Sequence, residues 1–485
     1  MAGRLLAGAA RASINPPLGI RTMGFSSRVG FVESIAEDLT ATSLVLGNDQ
    51  TTLAIVALDI CLLPIAGADD LRKRIGEAVG APAANVLLNF SHTHSAPAFP
   101  DWQPEPADQA RLQEQYWELL VERTVRSAAD ARERLQPARV AAGWGECRIG
   151  VNRREVGPDG LIFLGEVPDG ETDPAVGVIR VDDLHGRPIA VMCSLGCHTV
   201  VVGPRDQAAS PDFPGPARRV VESTLGGLTL FLQACGGDVM PVGGMGYETD
   251  CSDANERVGT MLGGEVLKVA AGLRTHLHRG ERTALGSVSA ISLWPWVPVE
   301  DEGVHARLDA RSERIWLDFI DLPPLEDAQA ILDEKRSLLE AARATGDERQ
   351  IAPTQRFVTW AEVLVDAVET NRRTIDFEVQ ALKIDELALI GLSAEVFSGT
   401  GLEIKRRSPI AFTNVLGYSN GCVMYLPRPQ DYPPGGWDVH VRYKIPDMLF
   451  QNYLVPVAFR PDSERRVVET ALRLLRDLVS EGEVP

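Results

Sequence analysis

The chain has 485 residues, 45% hydrophobic and 24% charged, which is enough to bury a large core and excludes a disordered, collagenous or disulfide-stapled protein. Lys and Arg number 48 against 67 Asp and Glu, and the net charge of −19 repels phosphate backbones, so no nucleic acid partner is expected. Seven cysteines in so long a chain read as reduced thiols.

The N-terminal stretch MAGRLLAGAARASINPPLG has no apolar core of signal-peptide type. No run approaches the roughly 18 apolar residues of a membrane span. The expectation is a cytoplasmic protein with no transmembrane segment. Thr42–Leu46 and Leu53–Leu58 flank Gly47-Asn48-Asp49-Gln50, a hairpin signature. Ala68–Val79 then reads as a helix and Val86–Phe90 as a short strand. A long helical pattern covers Asp108–Leu135, and a second hairpin joins Gly177–Val181 to Pro188–Cys193. Helices over Gly215–Ser223 and Asn255–Leu273 bracket a strand at Leu228–Leu232. From about 301 to 375, apolar residues such as Leu325, Ala328, Ile331, Leu332 and Leu339 recur at helical spacing, which predicts a helical insertion. Strands return at Phe377–Ile384 and Leu387–Gly391, and a helix over Glu464–Val479, capped by Asp462 or Ser463, closes the chain. No internal repeat is visible. The expected fold class is α/β, with mixed β-sheets and flanking helices in a single domain over residues 1–485.

Polar residues gather just past the predicted strands. Ser91-His92-Thr93-His94-Ser95 follows Val86–Phe90 directly, and an extended chain there points His92 and His94 to one side. His198 lies beyond Pro188–Cys193, Glu395 beyond Leu387–Gly391, and Tyr425 beyond the run Ala411–Tyr418. Sites in α/β proteins collect outside the carboxyl ends of strands. Two imidazoles, a carboxylate and a phenolate suit Zn²⁺ with room for a water. Each residue also has a plain structural reading, the histidines as caps or core and Glu395 as a carboxylate favoured at a helix start.

The order of motifs resembles the neutral, non-lysosomal ceramidase family, in particular its catalytic domain and its short bacterial homologues. The match is carried by ARASINPPLG at 10–19, NFSHTHSAP at 89–97, Val151-Asn152-Arg153, and Cys197-His198 with Ser210–Gly215. It continues through FLQACGGDVMP at 231–241, LSAEVFSGTGLEIK at 392–405 and YSNGCVMYLP at 418–427. The resemblance implies zinc ligands at His92, His198, Glu395 and Tyr425, with His94, Arg153 and Tyr425 as catalytic residues. Zn²⁺ would then be the cofactor and an amide carbonyl the target, with His94 and Arg153 holding the developing oxyanion. Asp59 and Asp212 are candidates to orient ligand imidazoles, and serve equally well as strand-end carboxylates.

Two departures shape the expected substrate. The family's GD-V-S-P motif has a serine where this chain has Met240, whose thioether cannot donate a proton, so attack by activated water is favoured. Longer ceramidases continue into an immunoglobulin-like domain and are secreted, and neither feature is expected here. A small, soluble N-acyl-type amide is therefore the expected partner, and a homo-oligomer is left open. A zinc-dependent esterase or lactonase and a non-catalytic binding protein are the competing readings. Phe99, Trp102, Trp294, Trp296 and Trp437 could wall an apolar pocket, although core positions suit aromatic residues better. Cys235 reads as an inert thiol, and His276 with His278 as a solvated helix end. Gly243, Gly244 and Gly246 lack the Lys-Ser/Thr of a phosphate loop, and Gly435-Gly436 beside His440 suggests a lid.

Overall fold

The computed structural model describes residues 3–25, 28, 30–99, 107–158, 160, 162–284, 292–299, 305–346, 348–432 and 452–480. The suggested lid at 435–440, Trp102 and Trp437 lie outside the described residues. In chain order the main elements are β1 (Leu6–Ser13), β2 (Thr40–Gly47), β3 (Thr52–Leu58), α1 (Ile65–Val79), β4 (Val86–Phe90) and α2 (Ala107–Glu133). Next come β5 (Gln136–Glu146), β6 (Gly150–Val156), β7 (Ala175–Asp183), β8 (Pro188–Leu195), α3 (Pro214–Leu225), β9 (Leu228–Gln233) and α4 (Ser252–Gly272). The remainder are β10 (Leu308–Asp318), α5 (Leu325–Thr345), α6 (Glu348–Glu369), β11 (Thr374–Ile384), β12 (Leu387–Leu392), α7 (Ser398–Arg407), β13 (Phe412–Leu416) and α8 (Ser463–Ser480).

Eight strands form one sheet in the order β9-β8-β7-β5-β1-β2-β3-β4, and four form another in the order β10-β11-β12-β13. The fold is α/β with mixed sheets. Strand periodicity sorts residues between two faces. Ala54, Val56 and Leu58 of β3 meet the layer containing α1 and α2, while Leu53, Ile55 and Ala57 join the core shared with the smaller sheet. On α1, Ala68, Leu71, Ile75 and Val79 are buried at helical spacing. Gly80 ends that helix at φ 71°, a left-handed turn that suits glycine, and its N–H bonds to the Gly76 carbonyl. Against the outer face of the four-stranded sheet pack α5, α6, α7 and α8.

One unit recurs three times: a hairpin, a helix, then a strand parallel to the hairpin's second strand. It appears as β2-β3-α1-β4, as β7-β8-α3-β9 and as β11-β12-α7-β13. The repeat is topological, and no shared residues betray it in sequence. The predicted helical insertion also differs in its first part. It opens with β10, which pairs with β11 along its full length from Leu308↔Ile384 to Asp318↔Thr374. Only α5 and α6 carry the helical periodicity, which drowned the weaker alternation of the strand before them.

The units meet at their strand ends. Asn89, on β4, donates to the Gln233 carbonyl at 3.1 Å and accepts from the Gln233 N–H at 2.6 Å, tying the two edge strands of the large sheet. Asn89 also donates to the Gly417 carbonyl beyond β13 at 2.9 Å. Thus the carboxyl ends of β4, β9 and β13 converge on one buried amide.

Candidate metal centre

His92 follows β4 by two residues, and its φ of 63° turns the chain rather than extending it. The period-two argument for pairing it with His94 therefore does not apply, yet the turn still brings His94 Nε2 to 3.1 Å from His92 Nε2. His92 Nδ1 lies 2.9 Å from the Cys61 carbonyl, and His198 Nδ1 lies 2.9 Å from the Gly236 carbonyl. A carbonyl only accepts, so both rings carry their proton on Nδ1 and present a lone pair at Nε2. Glu395 Oε2 stands 3.4 Å from His92 Nε2 and 3.0 Å from His198 Nε2.

His198 Nε2 is buried and has no hydrogen-bond partner, although a carboxylate oxygen is so near. An orphaned lone pair beside an anion is costly in protein alone. Ligand atoms around a tetrahedral ion with bonds of about 2.0–2.1 Å stand about 3.3 Å apart, and these spacings fit. His92, His198 and Glu395 could hold a divalent ion, and so could the overlapping group Cys61, His92 and His94. Burial lowers the His92 pKa to about 4, against the opposing pull of Glu395. Burial also drives His94 and His198 well below the usual range. All three imidazoles are neutral at pH 7, as metal ligands must be.

Tyrosines surround Glu395. Tyr418 donates to Oε2 at 3.3 Å, Tyr453 contacts Oε1 closely, and the Tyr425 hydroxyl bonds to the same carboxylate. Burial, followed by the Glu395 charge, raises the Tyr425 pKa well above its ordinary value. Arg153, on β6, donates from Nη2 to the Tyr425 hydroxyl at 3.1 Å and to the Gly237 carbonyl at 2.7 Å. Burial disfavours the Arg153 charge, but Tyr425 and Glu395 outweigh it and hold the guanidinium above its usual pKa.

The structure brings His92, His94, Arg153, His198, Glu395 and Tyr425 together. Asp59 and Asp212 are elsewhere occupied, which corrects their reading as imidazole partners. Asp59 accepts from Thr40 and pairs with Arg218, while Asp212 accepts from the N–H groups of Val202 and Phe213. Backbone carbonyls do the orienting instead. Sequence reasoning also missed Tyr418 and Tyr453. Tyr418 opens the YSNGC segment already singled out and was available to it, whereas nothing around Tyr453 marks it.

A cavity of about 90 Å³ is lined by His92, His94, Glu395 and Tyr425, with Met23, Phe25, Leu62 and Phe99 also among its walls. Of the proposed aromatic wall, Phe99 is present. Trp294 and Trp296 are instead exposed, stacked with Arg274, Arg279 and Arg282. Neighbouring His278 is on the strand Leu277–Arg279, beyond the end of α4 rather than on it.

Gly24, at φ 104°, leaves space for the His94 ring: a Cβ there would stand 2.4 Å from His94 Cγ. Gly24→Ala is expected to displace His94 and lower kcat/KM by about tenfold to a hundredfold, as ångström-scale misplacement does. Kinetics beside a melting curve would check this, and an unchanged kcat/KM would show that His94 has no part in turnover.

No family model matches the chain. Neutral ceramidase A of Dictyostelium discoideum is 28% identical over 203 residues, 38% of this chain and 28% of that protein. The neutral ceramidase of Pseudomonas aeruginosa is 28% identical over 167 residues, 32% of this chain and 24% of its own length. The matched segments thus span only about a quarter of the curated relatives. The crystal structure of the Pseudomonas aeruginosa enzyme superimposes over 99% of this chain and 75% of that one, with a TM-score of 0.66 at 19% identity. A ceramidase complexed with C2 gives 0.68 at 18% identity, over 99% and 76% of the two chains. The chain is related to the neutral ceramidases and shares their fold.

In this neutral ceramidase relative, Met240 packs with Val151 and Val200 in a small apolar cluster. Its strand, Val239–Pro241, pairs with β6 and places Met240 opposite Val151. Met240→Ser is expected to cost about 2–4 kcal/mol of stability, from lost burial and a desolvated hydroxyl, with no gain in turnover. Urea unfolding and steady-state kinetics would test it, and a rise in kcat would reopen serine chemistry. Cys235 is buried and its thiol is pushed far up by desolvation, in keeping with an inert side chain. Indeed all seven cysteines are free and buried. Among the described residues, no helix is long and apolar enough to cross a membrane.

Proposed function

We propose that the chain is a zinc-dependent hydrolase of a linear amide, with His92, His198, Glu395 and Tyr425 as metal ligands. The observation that carries this is the buried convergence of His92, His198 and Glu395 around a His198 Nε2 that has no protein partner. The amide is supported by the relatives, which are named for ceramide, itself a lipid amide.

A zinc ion held by His92, His198, Glu395 and Tyr425 would supply Lewis acidity, for activating water and polarising a carbonyl at neutral pH. The chain's own groups do the rest. His94, neutral and next to His92, supplies an N–H to the carbonyl oxygen. Arg153 keeps a positive charge at the same corner, fixed by its bonds to Gly237 and Tyr425. Tyr425, a neutral phenol held between Arg153 and Glu395, would offer the ion its oxygen and give its O–H proton to the departing nitrogen. Tyr418 and Tyr453 donate hydrogen bonds to Glu395 and fix which way its oxygens face.

The test is metal analysis with a substrate panel. An amide and an ester sharing one acyl group separate carbon–nitrogen from carbon–oxygen cleavage. Amide turnover that chelation removes and zinc restores is the expected result. A zinc-loaded protein that cleaves only the ester would overturn the amide assignment.

A further inference from the structure

The His94 ring has few hydrogen bonds of its own to aim it. Its Nδ1 is buried without a partner among the described residues, and its Nε2 lies 3.1 Å from His92 Nε2. Its orientation therefore depends on what packs around it, which is the segment Arg21–Phe25, consecutive residues that also line the cavity. That segment runs antiparallel to 96–98. The Met23 N–H donates to the Ala96 carbonyl and the Ala98 N–H to the Arg21 carbonyl, both at 3.0 Å. Gly24 lies against His94, and the Phe25 ring meets the imidazole at 71° with 4.8 Å between centroids.

One side chain ties this segment to the histidine turn. Arg28, 9% exposed, donates from Nη1 to the Thr22 hydroxyl at 2.9 Å and to the His94 carbonyl at 2.7 Å. Its Nη2 donates to the Ser95 hydroxyl at 3.2 Å and to the Gly203 carbonyl at 2.7 Å. The guanidinium also stands 5.0 Å from the centre of the Phe25 ring. Burying such a charge is costly, and desolvation pushes the Arg28 pKa down to about 10 against the opposing charges of Asp206 and Asp212. A planar fork can serve these spread acceptors at once, whereas a single ammonium cannot.

We infer that Arg28 is a positioning residue for the proposed reaction, which sets the orientation of the His94 ring by clamping the segment Thr22–Phe25 against the His94–Ser95 turn. This rests on the amide-hydrolase reading, in which His94 offers an N–H to the carbonyl oxygen. A donor aimed at a developing oxyanion works only when held in place, and ångström-scale misplacement costs about a hundredfold. The Arg28 hydrogen bonds all end on protein oxygens, so its influence on turnover passes through His94.

Arg28→Lys is expected to lower kcat by about tenfold to a hundredfold with little change in KM, as loss of a contact made only in the transition state does. The same substitution in a His94→Ala background should cost nothing further, because the group it positions is gone. Proton–nitrogen correlation spectra of protein labelled at the histidine nitrogens read the ring directly. The His94 resonances, assigned by their loss in His94→Ala, should move in Arg28→Lys while those of His198 hold. Thr22→Val cuts one Arg28 bond and spares the guanidinium, so it should move the same resonances by less. It also decides the matter if Arg28→Lys melts too low to assay. Equal losses of kcat in both backgrounds, or His94 resonances that stay put in both variants, overturn the inference. If the wild type cleaves no amide, the hydrolase reading fails, and the His94 resonances alone decide whether Arg28 orients the ring.

Discussion

His198→Ala should empty the metal centre. Zinc content is expected to fall from about one ion per chain to background, and kcat/KM to drop by about a thousandfold or more. Of the proposed ligands His198 is the informative one because its Nε2 has no protein role: Nδ1 is anchored on Gly236, and Nε2 lies 3.0 Å from Glu395 without a hydrogen bond. Removing it from the metal-free protein also relieves an unsatisfied buried nitrogen, which offsets part of the cost of the cavity left behind. The sharpest readout is therefore thermal. Zinc at about a thousand times its Kd stabilises a protein by about 4 kcal/mol, raising the melting temperature of the wild type and not of the variant. Mass spectrometry gives the stoichiometry independently. A wild type that neither binds zinc nor melts higher in its presence would leave the convergent donors without a metal and remove the proposed chemistry.

The centre is assembled from all three hairpin–helix–strand units. The first contributes the Cys61 carbonyl after β3 and His92 after β4; the second contributes His198 after β8 and the Gly236 carbonyl after β9. The third supplies Glu395 after β12, then Tyr418 and Tyr425 after β13. Parallel pairs β3/β4, β8/β9 and β12/β13 point their carboxyl ends at one place, so residues some 300 positions apart become neighbours. Backbone strain marks the same region. His92, Asp212, Tyr418 and Asn420 all have positive φ without being glycine. Such conformations persist where surrounding structure over-determines them, and they concentrate at functional sites.

Much of this was legible because it is local. Strands such as Val86–Phe90 and the apolar stripe of α8, with Val467, Val468, Ala471, Leu474 and Leu475 buried, follow from periodicities within a few residues. The candidate site residues stood out as polar clusters beyond strands, the family resemblance ordered them, and the fold brings them together. What stayed hidden is long-range. Backbone carbonyls carry no sequence signature, so Cys61 and Gly236 could not compete with Asp59 and Asp212 as imidazole partners. Tyr453 reaches Glu395 from a segment that precedes the last helix, with no strand or motif to announce it. The pairing of β10 with β11 spans two intervening helices, and only the tertiary fold supplies its partner.

Asp59→Ala should unfold the protein more easily by about 3–5 kcal/mol while leaving zinc content unchanged. The carboxylate ends β3 and accepts from both the N–H and the hydroxyl of Thr40 at 2.8 Å. Its other oxygen accepts from Arg218, on α3, at 2.8 Å, with the two side chains 3% and 7% exposed. That ion pair joins the first unit to the second. Truncating the acid leaves a buried guanidinium without its main counter-charge, which costs far more than the net worth of the pair. Asp59→Asn should fall between, because an amide oxygen can still accept from Thr40 but brings no charge to Arg218. Urea unfolding with metal analysis distinguishes this from an imidazole-orienting role, in which stability would hold and zinc affinity would fall by about ten- to a hundredfold. The imidazoles already have Cys61 and Gly236 at Nδ1, so the loss should register in stability rather than in metal.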